Sequence, residues 1–285
     1  MINNVAVAGA GTMGSGIALS VAMSGIKVVL FDVQEVMLEK ARTSIMKNLD
    51  VLFQKGKIGG ADRDKISLRI SYTSSVEEVV ADIVIEAIVE KLPAKVDLFT
   101  KLASFNSPDT ILASNTSSLP ISGIQKNIPH PERVAGLHYF NPAQVMKLVE
   151  VVKGDLTSDA VIERLVDFTR LQKKTPVVCH DSPGFIVNRV ARHFYLESMK
   201  LVEDGIATPQ EVDEILESSG FKMGPFKLMD MIGMDINLAV TESLYEAFGK
   251  HVRFTPSPLQ IKKVQDGDLG RKTGKGFYNY NSSES

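Results

Sequence analysis

Through its first half the chain alternates short, nearly unbroken apolar runs with longer segments whose apolar residues recur at helical spacing. Residues 5–8, 28–31, 83–87 and 111–114 have strand length and many β-branched side chains, and residues 14–24, 36–55 and 93–104 between them predict helices. In the last of these Val96, Phe99 and Leu102 recur at threes, and Pro93 suits a first helical turn. The alternation predicts a parallel sheet covered by helices, and the strands lack a polar side because both faces of such a sheet are buried. Residues 134–140, 148–153 and 175–178 read as three further strands, with a helix over 158–171.

The strand pattern then stops. From Gly184 onward the periodicity is helical, over 185–202, 209–218, 236–248 and 259–266. Thr208-Pro209-Gln210-Glu211 offers a cap followed by proline at the first helical position, and Gly220 suits a helix stop. The change at Ser182-Pro183-Gly184 predicts two domains, residues 1–183 with a doubly wound parallel α/β sheet and residues 184–285 all-α. The polar end, residues 281–285, reads as a frayed terminus.

Composition narrows the function classes. Hydrophobic residues make up 44% and charged residues 23% of the 285, which excludes bulk disorder. A net charge of -2, from 32 basic and 34 acidic groups, gives no electrostatic case for nucleic acid or an anionic membrane as partner. The single Cys179 excludes an internal disulfide and multi-cysteine zinc or iron–sulfur sites. No apolar run reaches the roughly 18 residues that span a bilayer. Met1-Ile2-Asn3-Asn4-Val5 has no signal-peptide pattern, so a cytoplasmic location is expected.

Gly9-Ala10-Gly11-Thr12-Met13-Gly14 follows the first strand directly and opens a helix. In a Rossmann-type unit the first glycine permits the tight turn, the second lets backbone approach a pyrophosphate, and the third lets helix and strand pack closely. The helix start then offers N–H groups and partial positive charge to the phosphates. Asp32 ends the second strand 18 positions after Gly14. A carboxylate there can accept hydrogen bonds from the adenosine ribose and would repel a 2′-phosphate, and Val33 and Gln34 supply no offsetting cation. The loop therefore predicts NAD over NADP. A glycine-rich turn without a nucleotide is the bland alternative.

The five histidines form no HxxxH or HExxH pattern, so no metal is expected. His138 ends the apolar run Val134-Ala135-Gly136-Leu137-His138, at the sheet edge where α/β folds place their chemistry. Glu150 lies 12 residues on, inside Leu148-Val149-Glu150-Val151-Val152, where a carboxylate is costly without a partner. Adjacent strands could bring the two into hydrogen-bonding range. The carboxylate would fix the imidazole tautomer and favour its charged form, which describes a general base for an alcohol proton. Either residue taken alone also reads as structural. No tyrosine is followed by lysine four positions later, and zinc-dependent alcohol oxidation lacks its cysteines.

Further segments carry a resemblance. They are Ala113-Ser114-Asn115-Thr116-Ser117-Ser118-Leu119, His138-Tyr139-Phe140-Asn141-Pro142, Met146-Lys147-Leu148-Val149-Glu150-Val151, Ser182-Pro183-Gly184-Phe185-Ile186-Val187-Asn188-Arg189 and Leu269-Gly270-Arg271-Lys272-Thr273-Gly274-Lys275-Gly276-Phe277-Tyr278. With the glycine loop they resemble the L-3-hydroxyacyl-CoA dehydrogenases, and most of all the short bacterial 3-hydroxybutyryl-CoA dehydrogenases, from Val5 to about Tyr280. The resemblance implies a Rossmann domain followed by a helical domain like the C-terminal one of 6-phosphogluconate dehydrogenase. It implies NAD as cofactor, an acyl-CoA substrate such as acetoacetyl-CoA or 3-hydroxybutyryl-CoA, and a homodimer paired through the helical domain.

By the same resemblance His138 is the catalytic base and Glu150 its partner. Ser117 touches substrate and nicotinamide, and Asn188 helps to hold the substrate oxygen. Gly9, Gly11, Thr12, Met13, Gly14, Asp32, Glu90, Lys95, Asn141 and Lys272 fall on cofactor positions, and Lys55 and Asn48 on positions near the CoA phosphates. Blander readings stand beside these: the serines as helix caps, Asn188 on any face of its helix, Lys55 as surface charge, and Met223, Met229, Met231 and Met234 as core or subunit contact. A related dehydrogenase acting on a free hydroxy acid, and a nucleotide-binding relative without activity, are the competing functions.

Overall fold

The computed structural model describes residues 2–280, so the polar end at 281–285 lies outside the described residues. The chain divides into two compact units, Met1–Ser182 and Pro183–Ser285.

The first unit is built on one sheet. Its strands are β1 (Asn4–Ala8), β2 (Lys27–Phe31), β3 (Ile70–Thr73), β4 (Ile83–Glu86), β5 (Ile111–Ser114), β6 (Val134–Tyr139), β7 (Leu148–Lys153) and β8 (Thr175–His180). Its helices are α1 (Thr12–Met23), α2 (Glu35–Gln54), α3 (Gly60–Leu68), α4 (Leu92–Phe105), α5 (Ile121–Gln125) and α6 (Asp159–Leu171). The strand order is β3-β2-β1-β4-β5-β6-β7-β8, with β1 to β6 all parallel. This is the doubly wound Rossmann order, and the chain reverses direction across the sheet between β1 and β4. The unbroken apolar runs are explained by burial on both faces: β4, β5 and β6 are buried at every residue. α2 presents Leu38, Ala41, Ile45 and Leu49 to the sheet at spacings of three and four. Each of the leucine and isoleucine side chains contributes about 1.5–3 kcal/mol by leaving water.

The last two strands depart from the parallel plan. β7 runs antiparallel to β6 because only a short loop, residues 140–147, joins them, and a parallel return needs a crossover. α6 supplies such a crossover, and β8 is again parallel to β7. β3, α3 and α5 have no counterpart in the apolar pattern. β3 reads Ile-Ser-Tyr-Thr, lies at the sheet edge and buries only its two end residues, so its polarity hides it.

The second unit contains α7 (Val187–Glu203), α8 (Pro209–Ser218), α9 (Pro225–Ile232), α10 (Met234–Ala247) and α11 (Pro258–Gln265). α8 starts on a capping box: Thr208 Oγ1 accepts from the Glu211 N–H, and the Glu211 carboxylate accepts from the Thr208 N–H at 2.8 Å. α9 was not evident in the periodicity. Proline opens it, and Gly233 ends it with a φ of 102°. Tyr195, Met199, Val212, Phe226, Met229 and Met234 form the core of this unit, so two of the four methionines pack inside it. Two buried carboxylates tie the end of the chain down. Asp230 accepts from the N–H groups of Phe277 and Tyr278 at 2.9 Å each, and Asp213 accepts from the Tyr278 hydroxyl at 2.7 Å. The Gly-Phe-Tyr part of the late motif is therefore structural in this unit. Among the described residues no helix is long and apolar enough to cross a membrane.

Candidate active site

The glycine loop joins β1 to α1 at the topological switch point. A Cβ at Gly14 would lie 1.7 Å from the Gly9 carbonyl oxygen, so only glycine lets α1 pack this close to the turn. A Cβ at Gly11 would meet nothing within 4 Å, which leaves open space in front of the helix start. Thr12 and Met13 form the first helical turn there. Asp32 stands beside the loop, its Oδ2 accepting from the Ala10 N–H at 2.8 Å and its Oδ1 from the Gln34 N–H at 3.0 Å. Gly9, Gly11, Asp32, Val33, Ile88 and Leu98 line a cleft of about 520 Å³. The helix start suits a pyrophosphate, the carboxylate a ribose and the apolar walls a base, so these residues fit an adenine dinucleotide.

Across the switch point, β4 and β5 end in a buried polar cluster. Lys95 of α4 is 1% exposed, and its ammonium lies 2.6 Å from Glu86 Oε1 and 3.1 Å from Glu90 Oε2. Glu90 Oε1 accepts from the Thr116 hydroxyl at 2.5 Å, the Ser117 N–H at 3.1 Å and the Ser118 hydroxyl at 3.2 Å. Glu90 thus fixes the loop that carries Ser117. Burial alone would raise its carboxyl, but the Lys95 ammonium and the Thr116 hydroxyl hold it below the usual range. Lys95 does not itself reach solvent, so any action on a nucleotide passes through Glu90.

His138 and Glu150 are cross-strand partners in the β6–β7 ladder, so both side chains lie on the same face. The His138 Nδ1 is 2.7 Å from Glu150 Oε2; His138 is 6% exposed and Glu150 fully buried. The Phe140 ring packs against the imidazole at 4.5 Å between centroids. With Nδ1 facing the carboxylate, any proton the ring exchanges with a substrate passes through Nε2. Asn115 Oδ1 accepts from the Tyr139 N–H at 2.8 Å and binds the end of β6 to the serine loop.

Asn141 is exposed in the loop that directly follows β6, before a cis peptide bond to Pro142. Lys174 supports that loop from below, donating to the carbonyls of Ala143 at 2.6 Å and Met146 at 2.7 Å. Burial pulls its ammonium down to about 8. Asn48, on α2, accepts from Gln144 of the same loop at 3.2 Å, and Lys55 is exposed just past the end of α2. In the second unit Asn188 lies in the first turn of α7, and the Lys272 ammonium pairs with Asp235 at 2.5 Å. Among the described residues no group of three or more His, Cys, Asp or Glu side chains could hold a metal. Glu86 and Lys174 escaped the sequence reading, which took Ser114 only as a helix cap or part of the family segment and not as the partner of Glu86. The signal for Glu86 was present, since it is a carboxylate closing an apolar strand, as His138 is an imidazole next to the end of another.

Residues 4–182 match the family described as 3-hydroxyacyl-CoA dehydrogenase, NAD binding domain, and residues 184–280 match 3-hydroxyacyl-CoA dehydrogenase, C-terminal domain. A 3-hydroxyadipyl-CoA dehydrogenase from Escherichia coli is 44% identical over 98% of this chain, which spans 59% of that protein's length. The mitochondrial hydroxyacyl-coenzyme A dehydrogenase of Sus scrofa is 40% identical over 98% of this chain and 92% of its own. The crystal structure of a 3-hydroxybutyryl-CoA dehydrogenase from Escherichia coli superposes with a TM-score of 0.96 at 43% identity, covering 100% of this chain and 61% of that one. On both its domains and these relatives, the chain belongs to the 3-hydroxyacyl-CoA dehydrogenase family.

Proposed function

We propose that the chain oxidises L-3-hydroxyacyl-CoA to 3-ketoacyl-CoA with NAD, and runs the reverse reduction, on short acyl chains of the 3-hydroxybutyryl type. The buried His138–Glu150 pair, 2.7 Å apart at the carboxyl edge of a dinucleotide-type sheet, carries this reading. His138 Nε2 takes the hydroxyl proton, and Glu150 steadies the imidazolium that forms and keeps the ring turned. Ser117, held by Glu90, meets the substrate oxygen and the nicotinamide end, and Asn188 helps to hold the substrate oxygen. Bound NAD supplies the hydride acceptor at carbon 3. Gly9, Gly11, Thr12, Met13, Gly14 and Asp32 hold its adenosine and pyrophosphate, Glu90, Asn141 and Lys272 its nicotinamide end, and Asn48 and Lys55 meet the CoA.

In the same reading residues 1–183 bind the cofactor, residues 184–285 bind the acyl chain and pair two copies into a homodimer, and the protein works in the cytoplasm. NADH consumption with acetoacetyl-CoA, set against free acetoacetate, tests the substrate class. The CoA ester is expected to be strongly preferred. Equal turnover of the free acid would move the chain to the hydroxy-acid dehydrogenases instead.

A further inference from the structure

Glu86, Lys95 and Glu90 form a cluster of three ionisable side chains with one more carboxylate than its lysine needs. Glu86 is fully buried. Its Oε1 accepts from the Ile88 N–H at 2.7 Å and from Lys95, and its Oε2 accepts from the Ser114 hydroxyl at 2.6 Å. The Ser114 oxygen in turn accepts from the Thr116 N–H at 3.2 Å, so its own proton is directed at Glu86. Donors therefore face both Glu86 oxygens, the surroundings of an anion. Glu90 is likewise an acceptor on both oxygens. One ammonium serves two carboxylates, and the cluster carries a net charge of about -1.

Glu90 alone would neutralise Lys95, and Glu90 makes the direct contacts to Thr116, Ser117 and Ser118. Glu86 stands one layer further in; its carboxylate reaches that loop through Ser114, and its backbone carbonyl accepts from the Asn115 N–H at 2.8 Å. Burying a second carboxylate is costly and adds little to holding Ser117. The surplus charge has a different use if Glu90 borders the nicotinamide end, as in the function proposed above, on which this inference rests. The nicotinamide ring is positive when oxidised and neutral when reduced, so a fixed negative charge nearby acts on one form only.

We propose that Glu86 sets the ratio in which the chain binds oxidised and reduced nicotinamide dinucleotide, by leaving the Glu86–Lys95–Glu90 cluster one negative charge in excess. Glu86 is a positioning and charge-setting residue here, since its side chain is fully buried. At an effective dielectric of about 20, a unit charge about 10 Å away changes an affinity by more than roughly tenfold, and solvent screening reduces that.

The test measures Kd for NADH by fluorescence titration of the full-length protein, and Kd for NAD+ by competition. Glu86→Gln makes the cluster neutral and should raise Kd(NAD+)/Kd(NADH) at least about threefold; Lys95→Gln takes away its one positive charge and should lower the ratio, by less where a carboxylate takes up a proton in compensation. Opposite signs cannot come from a loosened site, which would weaken both redox forms together. A ratio unchanged in both variants, or moved the same way in both, would overturn the proposal, and if one variant does not fold the sign in the other still decides. Wild-type protein that binds neither nucleotide would overturn the NAD reading itself, and this inference with it.

Discussion

Replacing Glu150 by glutamine separates charge from shape at the His138–Glu150 pair. Glutamine keeps the volume, and its carbonyl can still accept from His138 Nδ1, where the carboxylate oxygen now lies 2.7 Å away. What disappears is the anion that faces the ring once it has taken a proton. Charge centres about 4 Å apart interact by ~4 kcal/mol at an effective dielectric of about 20. Each ~1.4 kcal/mol is a factor of ten in rate, so full loss corresponds to roughly a thousandfold. Proton transfer is only partly complete in the transition state, which places the expected fall in kcat at about a hundredfold to a thousandfold. The KM for NAD should barely move, because the interaction develops with the reaction and not with binding. Turnover of 3-hydroxybutyryl-CoA followed by NADH absorbance measures the effect, with circular dichroism to establish folding. A second readout is independent of catalysis. Burial, then Glu150 and Asp181, push the Cys179 thiol up to about 11, so the thiol should titrate lower in E150Q. A kcat within about fivefold of wild type in folded E150Q would remove Glu150 from the mechanism.

Three further outcomes follow from the geometry. NAD should exceed NADP in kcat/KM, and Asp32→Ala should narrow the gap by weakening NAD; a wild-type preference for NADP would show that Asp32 does not face the ribose. Gly14→Ala drives a methyl into the Gly9 carbonyl at 1.7 Å and should cost at least about tenfold in NADH affinity or abolish folding, whereas an unchanged Kd would contradict the packing. Lys174 has a folded-state value of about 8, below its ordinary 10.5. Between these two values the folded chain has released a proton that the unfolded chain still holds, so Lys174 makes stability rise with pH across that window. Lys174→Met removes this term, so in urea titrations the unfolding free energy of wild type minus that of the variant should rise from about pH 7.5 to about pH 10; a constant difference would refute the assignment.

The pairing of His138 with Glu150 was legible in the sequence because each interrupts an apolar strand, and a polar group there demands a partner. The glycine loop was legible because its spacing is fixed by contacts as short as that between Gly14 and Gly9. The antiparallel turn of β7 depends on the brevity of the 140–147 loop, which an apolar pattern does not register. β3 was hidden by its polar edge position and α9 by its short length between Gly224 and Gly233. Lys95 illustrates a different limit: its motif position suggests a cofactor contact, but its ammonium is buried between two carboxylates, and only coordinates reveal that. Glu86 passed as the end of a strand although it carries the same signal as Glu150.

The account depends on a neutral imidazole, oriented by a buried carboxylate, removing the proton from a secondary alcohol. A crystal structure of the chain with NAD and a 3-hydroxyacyl-CoA tests this most directly. His138 Nε2 is expected within about 3.2 Å of the oxygen on carbon 3, with Nδ1 still on Glu150. A ring more than about 5 Å from that oxygen, or turned so that Nε2 faces Glu150, would contradict it.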